Sequence, residues 1–129
     1  MGLIPATRAR IKFNDDSVVI GGLGVSTVAA MEATGRTGTV HTYEASRDQC
    51  KITKDTVESN KLNKLNENIT IHHAIVESYH SKQVHESTDD ADVVRPSSLP
   101  TGDVLILDCE SARVEILESL PHNFRTIIV

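Results

Sequence analysis

Short apolar runs alternate with Ala-rich or amphipathic stretches along the chain. Residues 17–20, Ser-Val-Val-Ile, are mostly β-branched and end in glycines, the pattern of a strand buried on both faces. Residues 25–35 predict an Ala-rich helix with Val25, Val28 and Ala29 on one face and Gly35 as its stop. A second strand is predicted over about 38–43, followed by a polar amphipathic helix opened by Ser46 or Asp48 as cap. Residues 68–76 read as a third strand, 103–110 as a fourth and 124–129 as a fifth, with a helix from Ser111 to Pro121 between the last two. Two segments lack a steady period. Residues 1–16 predict a weakly structured N-terminal stretch, and the polar residues 77–102, with two prolines, predict a long connection with room for one short helix.

Strands that alternate with helices require right-handed crossovers and a parallel sheet covered on both sides. The expected fold is therefore α/β, a Rossmann-like doubly wound parallel sheet of about five strands in the order 3-2-1-4-5. A chain of 129 residues supports one domain and one core. The sequence stops inside the fifth strand, and an apolar strand edge is normally hidden. Three outcomes are open: pairing with a second copy, covering by the Met1–Asp16 segment, or aggregation. A homodimer through this C-terminal edge strand is the expectation, because the N-terminal segment offers only Ile11 and Phe13 as strand-like anchors.

Composition narrows the partners. Hydrophobic residues make up 39% and charged residues 24%, an ordinary globular balance, and with no Trp, two Phe and two Tyr the core must rest on aliphatic side chains. A formal charge of −5, with Lys and Arg scattered, argues against nucleic acid, which needs a concentrated positive face. The most apolar stretch, Ser17 to Met31, is too short to span a bilayer, and no signal peptide is evident, so no membrane partner is expected. Cys50 and Cys109 stand 59 positions apart without a CxxC pair and read as reduced thiols of a soluble, cytoplasmic protein. His72, His73, His80 and His85 lie close in sequence, but His72 and His73 are adjacent in a strand and point to opposite faces, so no metal site is expected.

In open parallel sheets ligands bind beyond the carboxyl ends of the strands, and the unusual residues fall there. Gly21, Gly22 and Gly24 end the first strand, Glu44 the second, His73-Ala74-Ile75 the third, and Asp108 with Glu110 the fourth. The glycines allow a tight turn and close backbone approach to a ligand at a helix N-terminus. The bland alternative is a tight strand-to-helix turn with nothing bound. Glu44 lies 20 residues after Gly24, where a carboxylate accepts both hydroxyls of a ribose; the alternative is a solvated helix-cap acid. Asp108 and Glu110 leave one face of a strand together, which favours a functional pair over a capping acid beside a loop anchor.

Together these residues resemble the FkbM-like branch of the class I S-adenosylmethionine-dependent methyltransferases, from about Asp16 to Val129. VVIGGLGVSTVAA is similar to the family's glycine motif, and HTYEAS to its second strand, with Glu44 as the ribose acid and Ala45 beside it. NITIHHAIV is similar to the third strand, whose end, at Ala74 and Ile75, lies by the adenine. DVLILDCESARVEIL is similar to the family's Asp-x-Glu pattern followed by an apolar helix. The resemblance implies one domain over residues 1–129, incomplete because the last two strands of the seven-stranded fold are absent. It further implies S-adenosylmethionine as methyl donor and a small-molecule hydroxyl as methyl acceptor. Such a hydroxyl needs a base, and Asp108 is the candidate, with Glu110 orienting it or sharing a cation.

Departures accompany the likeness. Val18 stands where the family has an acid, Ile20 where it has a glycine, Ser111 in place of Gly and Arg113 in place of Glu. These changes put turnover in question more than fold and keep a non-catalytic, degenerate binding module as an alternative. A second alternative is a NAD-binding oxidoreductase domain, since Gly22-x-Gly24-x-x-Thr27 with Glu44 nearly satisfies that fingerprint.

Overall fold

The computed structural model describes residues 2–35, 37–60, 68–76, 91–108, 113–120 and 124–129. The elements in order are α1 (Leu3–Arg10), β1 (Asp16–Gly21), α2 (Val25–Thr34), β2 (Thr39–Glu44), α3 (Arg47–Ser59), β3 (Ile69–Val76), β4 (Asp92–Val94), β5 (Val104–Asp108), α4 (Arg113–Ser119) and β6 (Thr126–Ile128). A single 3-10 turn, Pro96–Ser98, precedes β5. The strands form one six-stranded sheet in the order β4-β3-β2-β1-β5-β6. Every pairing is parallel. The predicted Rossmann-like order of the five principal strands is thus the observed one, with the predicted fourth and fifth strands appearing as β5 and β6.

The β-branched run of β1 occupies the centre of the sheet because both its faces are apolar. Val19 packs with Val40, Val104 and Ile106 under Val28, Ala30 and Met31 of α2 and Val57 of α3. Val18 and Ile20 face the other way, with Tyr43, Leu105 and Leu107 under Leu99 and Ile116. Leu105 and Ile106 show no exposed surface, and each such side chain is worth roughly 1.5–3 kcal/mol relative to exposure. Helix α3 begins on a capping box, in which Ser46 accepts from the Gln49 amide while the Gln49 side chain accepts from the Ser46 amide. Gly35, at φ 78°, closes α2, with its amide on the Met31 carbonyl.

Three details differ from the sequence expectation. The N-terminal segment is helical: α1 packs on α2 and β6, and Ile11 after it is buried in the core cluster. The predicted long connection contributes the short edge strand β4, paired with the end of β3. Val25 is 54% exposed rather than part of the buried face of α2. Arg125 also ties the two ends of the sequence together, donating to both carboxylate oxygens of the buried Asp15 at 3.1 and 2.5 Å. Among the described residues no helix is long and apolar enough to cross a membrane.

Candidate functional site

Strand order reverses between β1 and β5, and the crevice beyond such a reversal is where open parallel sheets hold ligands. Gly21 and Asp108 stand opposite each other at that point. The chain then makes a turn in which Gly21, Gly22, Leu23 and Gly24 all have positive φ, between 51° and 94°. Glycine is required at two places. A Cβ on Gly22 would stand 2.8 Å from Asp108 Oδ2 and 3.2 Å from Ser26 Oγ, so its absence lets Asp108 lie against the loop. A Cβ on Gly24 would stand 2.7 Å from Thr56 Cβ, so its absence lets the loop seat on α3. Ser26, in the first turn of α2, donates its hydroxyl to Asp108 Oδ2 at 3.3 Å. Asp108 itself is exposed.

Glu44 ends β2 on the face covered by α3. It is buried, 2% exposed, and its Oε2 accepts from Thr53 Oγ1 at 2.5 Å. Burial pushes the Glu44 carboxyl above its ordinary value and the nearby Asp108 charge pushes the same way; hydrogen bonds from Thr53 and from the Leu23 amide pull it back. From outside, Thr56 donates to the Leu23 carbonyl at 3.0 Å and to its own helix at Ile52. The acid, the loop and α3 therefore form one connected cluster.

Of the residues singled out in the sequence, Gly21, Gly22, Gly24, Glu44 and Asp108 meet on this rim. Ala45 is half-buried in the bend after β2. Ala74 and Ile75 are buried in the β3–β4 ladder, past the last β2–β3 pair of Glu44 and His73. Glu110 lies outside the described residues, as do Cys109, Ser111, His80 and His85. Sequence reasoning passed over Ser26, Thr53 and Thr56. A signal existed for Thr53, a polar side chain on the buried Cys50–Thr53–Val57 stripe of α3.

Away from the rim, His72 stacks on Tyr43 with ring centroids 4.4 Å apart, and its Nε2 shares a hydrogen bond with His41 Nδ1 at 3.0 Å. Burial and His41 together lower the His72 pKa. No group of three or more His, Cys, Asp or Glu among the described residues is arranged to hold a metal. An open groove of about 130 Å³ lies between Lys54, Val57 and Glu58 of α3 and Ile69 and Ile71 of β3, at the opposite end of the sheet from the glycine loop.

No family model matches the sequence, and no curated protein matches it. Solved structures do. A protein described as an rRNA methylase from Clostridium thermocellum superposes with a TM-score of 0.54 at 15% identity, covering 92% of this chain and 60% of that one. A protein-L-isoaspartate O-methyltransferase gives 0.53 at 20% identity, over 92% of this chain and 33% of the other. A SAM-dependent methyltransferase from Aquifex aeolicus gives 0.51 at 13% identity, over 84% and 50%. The chain thus spans 33% to 60% of the length of these three structures. At such identities the likeness speaks for architecture alone: the chain has the Rossmann-like α/β fold of the class I SAM-dependent methyltransferases.

Proposed function

We propose that this chain is the S-adenosylmethionine-binding core of a methyltransferase acting on a small-molecule hydroxyl. The observation that carries the reading is the convergence of the glycine turn, Glu44 and Asp108 at the point where strand order reverses. The donor set suits an adenosyl group: backbone amides in a tight turn, and a carboxylate with about four acceptor positions, of which the Thr53 hydroxyl takes one. When bound, S-adenosylmethionine supplies an electrophilic methyl group. Asp108, exposed beside the loop, is the group in reach of an acceptor's hydroxyl proton, and Ser26 orients it. Glu110 is proposed to orient the same acid, and Ala45, Ala74 and Ile75 to border the adenosine. Where the resembling family has an acid and a glycine, Val18 and Ile20 are buried in the core, so the adenosine half of the cofactor carries the binding.

Similar folds act on different acceptors by name, one on rRNA and one on protein. The formal charge of −5 favours a small molecule over a phosphate backbone here. The NAD alternative is weakened by Thr27. At the fingerprint position where glycine allows close helix–strand packing, Thr27 is fully buried and shares a 2.6 Å hydrogen bond with Thr42 of β2. A non-catalytic binding module draws support from a different fact, the burial of Glu44, whose side chain is 2% exposed.

Calorimetric titration with S-adenosylhomocysteine, set against NAD, tests the reading. Saturable binding of the former that weakens by about tenfold or more in Glu44→Ala is the expected result, since a hydrogen bond to a charged group is worth about 1.5–3 kcal/mol. Preference for NAD, or affinity indifferent to Glu44→Ala, would overturn it.

A further inference from the structure

Glu44 poses a problem that the cofactor reading does not solve: a buried carboxylate beside a second acid must be kept ionised and aimed. Its side chain is only 2% exposed, and the hydrogen bonds that pull its raised pKa back come from Thr53 and from the Leu23 amide of the glycine turn. Thr53 belongs to α3, a 13-residue helix fixed by its capping box and by the burial of Cys50 and Val57 on either side. Thr53 itself has no exposed surface, and its hydroxyl lies 2.5 Å from Glu44 Oε2. A valine would fill the same volume without a polar atom to bury, so the hydroxyl is present at a desolvation cost that only its partner offsets.

We propose that Thr53 is a positioning residue of this site, its hydroxyl holding one oxygen of Glu44 so that the carboxylate remains an oriented acceptor for the vicinal diol of a ribonucleoside. The proposal rests on the cofactor reading above for its ligand, but the link between Thr53 and Glu44 stands on geometry alone. Thr56 has the complementary place, holding the loop through the Leu23 carbonyl without touching the acid.

The test uses Thr53→Val, nearly isosteric, and Thr53→Ser, which keeps the hydroxyl. Carboxyl-carbon NMR follows the Glu44 titration in ligand-free protein, and calorimetry follows S-adenosylhomocysteine affinity against pH. Thr53→Val should raise the Glu44 midpoint, move the acid limb of the affinity profile to higher pH and weaken binding at neutral pH about tenfold. Thr53→Ser should restore all three, which a merely structural role would not do. An unchanged Glu44 titration and affinity profile in Thr53→Val overturns the role of Thr53 while leaving the cofactor reading intact. Wild-type protein without affinity for S-adenosylhomocysteine overturns the cofactor reading, and the ligand-free titration then decides the Thr53–Glu44 link by itself.

Discussion

Gly22 and Gly24 share a strained turn but face different neighbours, so replacing each with alanine separates backbone strain from packing. Both have φ near 90°, at 89° and 94°, and an L side chain there costs about 1–3 kcal/mol. At Gly22 the added methyl meets the far end of the exposed Asp108 carboxylate, which can swing aside, and Ser26 Oγ at 3.2 Å, a contact that a shift of a few tenths of an ångström relieves, so strain is most of the cost. At Gly24 it meets Thr56 Cβ at 2.7 Å and the Thr53 carbonyl at 3.1 Å, atoms fixed to the backbone of α3. Overpacking of this kind adds about 1–3 kcal/mol. Gly24→Ala should therefore destabilise by about 2–6 kcal/mol and Gly22→Ala by about 1–3 kcal/mol. Urea unfolding followed by circular dichroism measures both, and with a slope of about 2 kcal/mol per molar the Gly24→Ala midpoint should fall by about 1–3 M. Equal midpoints, or a larger loss for Gly22→Ala, would refute the seating of the loop on α3.

Arg125 holds the Asp15 carboxyl below its usual range, so this pair stabilises the fold above the ordinary Asp value of about 3.9 and ceases to as pH falls through the depressed value. Asp15→Asn should accordingly be less stable at neutral pH, and its stability should fall less steeply in acid, as followed by melting temperature against pH. Glu44 has the opposite sign: its raised value penalises folding at neutral pH and the penalty disappears as pH falls toward the ordinary Glu value of about 4.3. Glu44→Gln should melt higher than wild type at pH 8, with the gap closing toward pH 4; a constant gap would contradict the burial argument. His72, lowered by burial and by His41, withdraws stability as pH drops below about 6.5. His72→Gln should flatten the stability profile below about pH 6.5, read by the same melting series.

Strand placement was legible where β-branched runs met glycines, as at β1, because burial on both faces leaves an unbroken apolar signature. The N-terminal helix was not. Only Thr7 of α1 is fully buried, so no apolar stripe marks it, and Pro5 reads as punctuation although the first turn of a helix tolerates it. Strand β4 has three residues, two of them exposed, too few to carry a period. The glycines and acids of the rim were legible because turn geometry and chemistry demand unusual residues there. The burial of Glu44 was not, since it follows from how closely α3 seats on the loop, which depends on Gly24 meeting Thr56 across 31 intervening positions. The opposite orientation of His72 and His73 follows from strand alternation, whereas the His41–His72 contact depends on the register between β2 and β3.

The central position of β1 has a consequence for how the chain reaches this state. Its partner on one side begins 23 residues later, since Asp16 bonds Thr39, and on the other 87 residues later, where Asp16 meets Asp103. Closing the longer loop costs only about 1.2 kcal/mol more than the shorter by chain entropy, too little to forbid it but enough to order the events. The β1–β2–β3 half, with α2 and α3, should therefore condense first, leaving the β5 side of β1 as an open template until the later strands arrive. Refolding in this molecule is a race between the docking of β5 and the pairing of that template with another chain. Higher protein concentration during refolding should lower the yield of native protein without changing its final stability.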